Sequence, residues 1–571
     1  MNLNIYSCCL YNGKKRKNIL ISNYEDNNED LNMKIIIIGG GAAGASCATR
    51  LRRLNEDAEI TILERTQEVS IANCGLPYYI SDVISSRDNL LVSTVQKFKS
   101  WFNIDVRLGV EVVDINKNEK YVITNSNEKI EYDYLVLATG ASPIVPEIEG
   151  MNKEKIFVVK TLFDADGIKN YIVKNSVQKV AVIGGGFIGV EVAENLVEMG
   201  LDTTLIEMNN QILSSVDEEI AIVAQEELIS QGVNLVLSDG VNKFKDSTIV
   251  LNSGKEVDFD ICILAMGVKP ETSLAKKAEI DFDKGILVDE YLRTSDKFIY
   301  AAGDNIEVRD FVSGQNTFVP LAGPANRQGR IIADNILGLN SIYKNTQGTN
   351  AIKVFDLTVA SSGNSEKQLM QKGISYLKTY VFSNSHAGYY PNAKQILFKL
   401  LFSLTGKILG IQGIGQEGVE KRVDVIATIM RNNGSVQDLI DAELSYAPPY
   451  SSAKDPVNIL GMSADNILKG FVKPAYLDDL KSSVIIDVRP NMVYKMGTIK
   501  NAINIPIMEI RERLNEIPKD KKVVLSCNTG YTSYIASRIL SQYGFNNVYS
   551  FMGGYELYKK LMKQNTHSLV P

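Results

Sequence analysis

Histidine is nearly missing from this chain: His386 and His567 are the two it has in 571 residues. No cysteines stand in C-x-x-C spacing, so a tetrahedral zinc site or a Ser-His-Asp triad lacks its parts. Cysteine itself is scarce. Six residues (Cys8, Cys9, Cys47, Cys74, Cys262 and Cys527), with no apolar secretory segment, argue against a disulfide framework and for a reducing cytoplasm. There is no surplus of positive charge either: 61 Lys+Arg stand against 67 Asp+Glu, a net charge of −6, so no basic face for nucleic acid is expected. No apolar run nears the ~18 residues that cross a bilayer. A soluble protein is expected.

What is present is an ordinary globular balance, 45% hydrophobic and 22% charged, in a chain long enough for three to four domains of about 150 residues each. Residues 1–32 are polar and Asn-rich and read as a disordered extension. The first organised block opens with Ile35 to Ile38, an apolar run suited to a strand buried on both faces of a parallel sheet. Gly39, Gly41 and Gly44 follow as G-x-G-x-x-G, then a helical pattern, then a strand ending at Glu64, 20 residues after the last glycine. The glycines permit a tight turn against a pyrophosphate, and the acid can accept hydrogen bonds from a ribose diol.

The same arrangement recurs 145 residues on, with Gly184, Gly186 and Gly189, a helix, and a strand ending in Glu207. Two dinucleotide sites in one chain point to electron transfer between two nucleotides. Two further apolar strands run into glycine, at ATGAS (Ala138, Thr139, Gly140) and AAGDN (Gly303, Asp304), where Asp304 could bind a hydroxyl; a plain strand exit is the alternative. From about Thr349 the nucleotide pattern stops. Two Tyr/Pro clusters, HAGYYP and YAPPYSSAKDP, precede a final α/β unit of about 105 residues with a cysteine loop, CNTGYTSY, at Cys527.

Cys74 lies in SIANCGLPYYI, ten residues after Glu64, and no second cysteine follows it within that segment. A lone cysteine can cycle as thiolate, sulfenic acid or mixed disulfide with an external thiol. Cys47 and Cys262 fall in apolar patterns and read as packing, Cys8 and Cys9 as incidental. With GGGAAGASCATRLRRL, NCGLPYY, ATGASP, GGGFIGVEVAENL, AAGDN, LAGPANRQGR, HAGYYP and YAPPYS on the page, residues 33–462 resemble the coenzyme A–disulfide reductase and NADH oxidase branch of the pyridine nucleotide–disulfide oxidoreductases, and the last block resembles a rhodanese domain. Together they resemble coenzyme A–disulfide reductase–rhodanese fusions, some of which reduce persulfide or polysulfide.

That resemblance implies an α/β architecture. Residues 33–150 and 270–348 would form a discontinuous FAD-binding Rossmann-like domain and 151–269 an NAD-binding one. An α+β dimerisation domain would span 349–462 and a rhodanese-like α/β domain 463–571. It also implies a cytoplasmic homodimer acting on a small-molecule disulfide, persulfide or polysulfide, with NADH oxidase activity or sulfur carriage as alternatives. FAD would be held by Gly39, Gly41, Ala43, Gly44, Glu64, Arg65, Ala138, Thr139, Gly140, Gly303 and Asp304. NADH would be held by Gly184, Gly186, Phe187, Ile188, Gly189, Glu191, Glu207 and Gly267, although Phe187 and Glu191 could equally be helix packing. Glu207, with Met208 and Asn209 after it and no arginine, disfavours NADPH. Cys74 would be the redox nucleophile, helped by Tyr389 and Tyr446 across the dimer. Coenzyme A would meet Ser46, Arg50, Arg53, Ser70, Asn73, Asn326 and Lys454. Arg50 and Arg53 could grip phosphates from one helical face, a solvated basic face being the alternative since Arg52 is also there. Cys527 would carry sulfane sulfur. Thr532 and Thr498 stand where rhodanese loops often have arginine and histidine, which argues against anionic thiosulfate as donor.

Overall fold

The computed structural model describes residues 33–567; the extension expected over 1–32 lies outside the described residues. Two parallel five-stranded sheets form the nucleotide-binding half. In the first the strands run in the order Ile299–Ala301, Tyr134–Leu137, Lys34–Ile38, Glu59–Glu64, Asp105–Leu108, so the chain returns to this sheet after completing the second. In the second the order is Asn234–Val236, Asp202–Ile206, Lys179–Ile183, Ile261–Leu264, Ile156–Val158. Ile35 to Ile38 and Val180 to Ile183 are buried, as continuous apolar strands between helical layers must be.

The glycine turns work by close approach. Gly39 and Gly184 have φ of +100° and +108°, where an L side chain is strained. A Cβ on Gly44 would lie 2.0 Å from the Gly39 carbonyl oxygen, and one on Gly189 would lie 1.8 Å from that of Gly184. Each helix, Ala42–Leu54 and Phe187–Glu198, can therefore spring directly from the end of its strand.

The next region is an antiparallel five-stranded sheet, ordered Asn350–Val354, Leu357–Gly363, Ile408–Gly415, Gln395–Phe402, Leu377–Asn384. Helices Val419–Arg431, Val436–Asp441 and Pro456–Leu468 accompany it. The last of these is capped by Asp455 and runs unbroken past Met462 and Ser463, with Ala464 and Ile467 buried, so a division at 462/463 falls inside a helix. The final region is a parallel sheet, Pro474–Ala475, Val548–Phe551, Val523–Ser526, Val484–Asp487, Ile503–Asn504, with helix Tyr531–Gln542 after its fourth strand in sequence order.

These regions share packing. Met552, Leu557 and Leu561 of the C-terminal region belong to the same buried cluster as Ile220 and Leu228 of the second nucleotide fold and Phe398 of the antiparallel sheet. Helix Gly554–His567 lies on helix Glu218–Ser230, where Lys560 meets Glu226 at 2.9 Å. At the start of that same helix, Lys399, with no exposed surface, holds Asp217, Glu219 and Glu366 at 3.0, 2.7 and 2.5 Å. Three carboxylates remain tolerable there because Lys378 pairs with Glu366 at 2.9 Å, and Gln412 and Tyr380 donate to Asp217 and Glu219. Among the described residues no helix is long and apolar enough to cross a membrane.

Candidate active site

Cys74 sits in a 3₁₀ turn, Asn73–Gly75, that runs directly into helix Leu76–Ile80. Gly75 packs closely there, a Cβ on it meeting the end of the Leu90 side chain at 2.4 Å. The described cysteines Cys47, Cys74, Cys262 and Cys527 are all free; Cys47 and Cys262 are fully buried, as packing requires, and Cys74 is exposed. The protein around the Cys74 thiol still desolvates it and pushes its pKa up. Glu191 and Asp304 add to that, while a backbone N–H and Lys160 pull it back. Asp304 is likewise raised by burial and drawn down by Lys160. Lys160 was not singled out in the sequence: a lone lysine after a short strand carries no motif.

The cysteine segment is fastened to the second nucleotide helix. Ser81 Oγ and Asn195 Oδ1 are 2.5 Å apart, Asn195 Nδ2 donates to the Glu191 carbonyl at 2.8 Å, and the Tyr78 hydroxyl reaches the Glu191 carboxylate at 3.4 Å. Glu191 is pushed up to about 7, chiefly by burial and secondarily by Glu194, against the Tyr78 hydrogen bond.

Both nucleotide turns leave their helix N-termini open. Neither helix has a side-chain cap, and a Cβ on Gly41 or Gly186 would meet nothing within 4 Å, so the first amides are free for a pyrophosphate. The acids do a second job that spacing alone did not reveal. Glu64 accepts from Gly40 N–H at 2.8 Å and Thr66 N–H at 2.9 Å; Glu207 accepts from Gly185 N–H at 2.7 Å and Asn209 N–H at 2.8 Å. Each carboxylate pins its own glycine turn.

Around the first turn the other expected flavin positions converge. A Cβ on Gly39 would lie 2.2 Å from the Ala138 oxygen, and one on Gly303 would lie 3.4 Å from the Ala43 Cβ. Thr139 Oγ1 donates to Glu271 O at 3.1 Å and accepts from Asn305 Nδ2 at 3.1 Å. Asn305 is fully buried, and its Oδ1 has no partner, an orphaned polar atom in a glycine-lined cradle. Open amides, absent Cβ atoms and this orphan suit a bound dinucleotide. Gly140 has φ +69°, and Arg65 is exposed beside the cradle. In the second fold Gly267 has φ +98°, its carbonyl accepts from Ile144 N–H at 3.0 Å, Ile188 is partly exposed, and Phe187 packs partly against the core.

Of the positions expected to meet coenzyme A, Ser46 and Asn326 are joined directly, Oγ to Oδ1 at 2.5 Å, across helices Ala42–Leu54 and Ala322–Ile336. Arg50 and Arg53 do not form a free pair. Arg50 is tied to Asp334 at 2.8 Å, whereas Arg53 is exposed. Arg52 turns inward and donates to backbone carbonyls of Phe102, Asn55, Ala58 and Asn103. The basic face thus resolves into one buried strut, one paired arginine and one exposed one. Ser70 adopts φ +57° with its N–H on Gly40 O at 2.9 Å, and Asn73 is exposed beside Cys74. Lys454 lines a groove of about 460 Å³ with Phe382, Asn384 and Thr529, the last being two residues beyond Cys527.

Tyr389 and Tyr446 are both exposed, and their hydroxyls lie 2.7 Å apart. Their loops share one anchor. Arg422, 1% exposed, donates to Ser385 O at 2.8 Å and to Asp455 at 3.0 Å, so it holds both. His386 bonds Ser385 and the Pro391 carbonyl within its own loop.

Cys527 leaves the strand Val523–Ser526 at its carboxyl end and is 2% exposed. Gly530 N–H donates to its Sγ at 3.1 Å, and Ser533 Oγ lies 3.5 Å away. Arg489 is paired with Asp487, reaches Asn528 Oδ1 at 3.4 Å and stacks over Tyr555 at 4.5 Å. Thr498 donates to Asp487 at 2.7 Å, and Thr532 lies on the first turn of the following helix. The Arg489 guanidinium beside the loop is therefore neutralised.

Two nucleotide folds beside a thiol with no partner among the described cysteines define a two-electron, nicotinamide-linked sulfur or oxygen oxidoreductase. Residues 33–329 match the pyridine nucleotide-disulphide oxidoreductase family, 349–456 its dimerisation domain and 474–561 the rhodanese-like domain; the chain belongs to that oxidoreductase family. It is 35% identical over 443 residues to the coenzyme A disulfide reductase of Staphylococcus haemolyticus, covering 76% of this chain and 100% of that one. The structure is similar to reduced CoADR-RHD of Bacillus anthracis, with 47% identity, TM-score 0.91, and 93% of this chain and 99% of that one covered. It is also similar to an NAD-dependent persulfide reductase of A. fulgidus, with 38% identity, TM-score 0.87, and coverage of 92% and 100%. The recognised family and the mixed α/β architecture with a C-terminal rhodanese domain agree with the expectation from sequence.

Proposed function

We propose that the protein is an FAD-dependent, NADH-driven reductase of coenzyme A disulfide or persulfide, or of polysulfide, whose rhodanese-like domain relays sulfane sulfur. The observation that carries this reading is Cys74: a free, exposed thiol in the turn that leads into a helix bolted to the second nucleotide helix, with no described cysteine paired to it. Such a thiol needs an external sulfur partner.

The residues present fit a flavin at the first nucleotide fold, and when bound it passes the two electrons of NADH to sulfur. The chain does the rest. Cys74 Sγ attacks one sulfur of the incoming disulfide, forms the mixed disulfide and expels a thiolate. The Tyr389–Tyr446 pair of the other subunit, its hydroxyls already 2.7 Å apart, donates hydrogen bonds to that leaving sulfur. Ser46, Asn326, Arg53 and Lys454 hold the coenzyme's polar groups, with Arg50 reaching them alongside its Asp334 partner. At Cys527, the Gly530 amide aimed at Sγ suits a persulfide. The neutral surroundings of that loop favour uncharged sulfane sulfur over thiosulfate. The groove between Lys454 and Thr529 supports coenzyme A as the arm that visits both sulfurs. Glu207 supports NADH over NADPH. A working thiol suits the reducing cytoplasm, and the acidic balance suits a small-molecule enzyme without nucleic acid.

The test is the mass of the small thiol released from purified holoenzyme by dithiothreitol, together with NADH turnover on coenzyme A disulfide, polysulfide and oxygen. Release of coenzyme A, and Cys74-dependent turnover of the sulfur acceptors, are expected. NADH consumption driven by oxygen alone would make the protein an oxidase. Equal turnover of every sulfane-sulfur acceptor by wild type and Cys527→Ser would reduce the last domain to a docking module.

A further inference from the structure

The Cys527 loop rests on a hydroxyl that no motif announced. Ser533 lies in the first turn of helix Tyr531–Gln542, whose N-cap is Gly530 at φ +104°. The turn carries Ser533 inward, and it is fully buried. Three atoms meet its Oγ: the Gly530 carbonyl oxygen at 2.9 Å, Ser550 Oγ at 3.0 Å and Cys527 Sγ at 3.5 Å. Ser550 comes from the neighbouring strand, where it is the register partner of Leu525, and it too is fully buried.

A hydroxyl has one hydrogen and two lone pairs, and these three partners use them differently. A carbonyl can only accept. With a neutral thiol, Ser533 therefore donates to Gly530 O, while the Cys527 S–H and the Ser550 O–H fill its lone pairs. A thiolate has no hydrogen to give. The Ser533 hydrogen is then better placed on the charged sulfur, and the Gly530 carbonyl is not left bare, because the Tyr534 N–H reaches it at 3.1 Å.

We propose that Ser533 is a catalytic residue of the rhodanese-like domain: its one hydrogen turns from the Gly530 carbonyl to Cys527 Sγ whenever that sulfur is a thiolate, and turns back when Sγ carries a second sulfur. This rests on the reading of Cys527 as a sulfur carrier. In loading, the Cys527 thiolate attacks the outer sulfur of a persulfide R–S–SH. The Sγ–S bond forms, the donor S–S bond breaks, and its electron pair leaves on R–S⁻. The outer sulfur keeps its hydrogen, and nothing is oxidised or reduced overall. Discharge is the reverse step with another thiolate as acceptor, so Sγ becomes the leaving group. Charge sits on Sγ before loading and after discharge, and Ser533 answers it at both moments. The Gly530 N–H, at 3.1 Å, serves Sγ in either state. The Arg489 guanidinium, committed to Asp487, does not share the task.

Ser526 supplies the control. It adjoins Cys527 in the chain, is fully buried, and its Oγ has no hydrogen-bond partner among the described residues. The test equilibrates full-length, flavin-loaded protein, anaerobically and without NADH, with an excess of coenzyme A persulfide and coenzyme A at one fixed ratio. Iodoacetamide then traps Cys527, and peptide mass spectrometry reads the ratio of persulfide to thiol. Ser533→Ala withdraws a hydrogen bond from the unloaded sulfur and none from the uncharged inner sulfur of the persulfide. The ratio should therefore rise about tenfold, and discharge into coenzyme A alone should slow by a similar factor. Ser550→Ala, which removes the hydrogen bond that steadies Ser533, should move both the same way by about two- to fivefold. Ser526→Ala should match wild type. A loop that had merely lost its shape would load less, so a fall in the ratio overturns the proposal. An unchanged ratio in Ser533→Ala, or a rise in Ser526→Ala as large as in Ser533→Ala, overturns it too. If Ser533→Ala does not fold, Ser550→Ala decides, and no rise there refutes the assignment. Failure of wild-type Cys527 to load at all would sink the carrier reading and this residue's role with it, a result told apart because it appears without any substitution.

Discussion

Replacing Glu207 by glutamine removes one charge from the end of the strand Asp202–Ile206 and keeps an oxygen for the Gly185 N–H, which it accepts at 2.7 Å. Arginine would remove that acceptor altogether and disturb the glycine turn, so Glu207→Gln is the cleaner perturbation. With its oxygen kept on Gly185, its amide nitrogen replaces the oxygen that accepts both bonds from Asn209, a cost of about 2 kcal/mol that falls on both cofactors alike. Against this, a carboxylate about 4 Å from a 2′-phosphate repels each unit of its charge by about 1 kcal/mol in water and about 4 kcal/mol at an effective dielectric of about 20. Glu207 is half-buried and its neighbour Met208 is 71% exposed, so the wet end of that range applies. Relief of about 1–2 kcal/mol should raise the kcat/KM ratio of NADPH to NADH by about 5- to 30-fold. Screening adds a second signature. The shift should be larger at about 0.01 M than at about 0.15 M salt, where the Debye length contracts from about 30 Å to about 8 Å. Stopped-flow flavin reduction by each cofactor measures the ratio. A ratio unchanged at low salt, or an equal fall in efficiency with both cofactors, would refute the placement of Glu207 against the ribose.

Cys74→Ser should retain flavin and its reduction by NADH, because no flavin-cradle residue needs the thiol, yet lose turnover of disulfide and persulfide in steady-state assays. Arg422→Met should leave Asp455 buried and unpaired, costing about 3–5 kcal/mol, seen as a lowered Tm with a larger loss of turnover than of flavin content. Burial raises Glu366, but Lys399 and Lys378 outweigh it and hold the carboxyl at about 2. A depressed folded value means stability that is present above the unfolded carboxyl range, near about 4.3, and lost as pH falls towards about 2. Glu366→Gln should flatten that part of an acid-unfolding curve. Cys527→Ser should slow polysulfide but spare coenzyme A disulfide reduction, measured side by side.

The nucleotide folds were legible because their signals are local. Apolar strand, glycine turn, helix and acid lie within a few dozen residues, and Gly39, Gly44, Gly184 and Gly189 answer clashes that the structure displays. Cys74 stood out by its flanks, and the structure leaves it free and exposed. What stayed hidden depends on residues distant in sequence. Arg422 stands 33 positions from Asp455, and Lys399 180 from Glu219, and neither carries a motif. The arginines show the limit from the other side: helical spacing set Arg50 and Arg53 on one face but could not say that Asp334, 284 residues on, would claim Arg50, nor that Arg52 would turn inward. The helix Pro456–Leu468 hid a boundary for a related reason, since the periodic pattern continues across it.

Helix Glu218–Ser230 touches Lys399 at one end and the C-terminal helix along its length. One rod is thus common property of three regions, and that bears on engineering. A rhodanese unit borrowed from another protein and spliced on after Leu468 would arrive without the lysine that greets Glu226, and would leave bare the apolar strip now covered by Leu557 and Leu561. Such a chimera should be built with both helices transplanted together; grafted singly, the newcomer would tumble on its tether, and its sulfur would be delivered by chance encounter instead of at a fixed address.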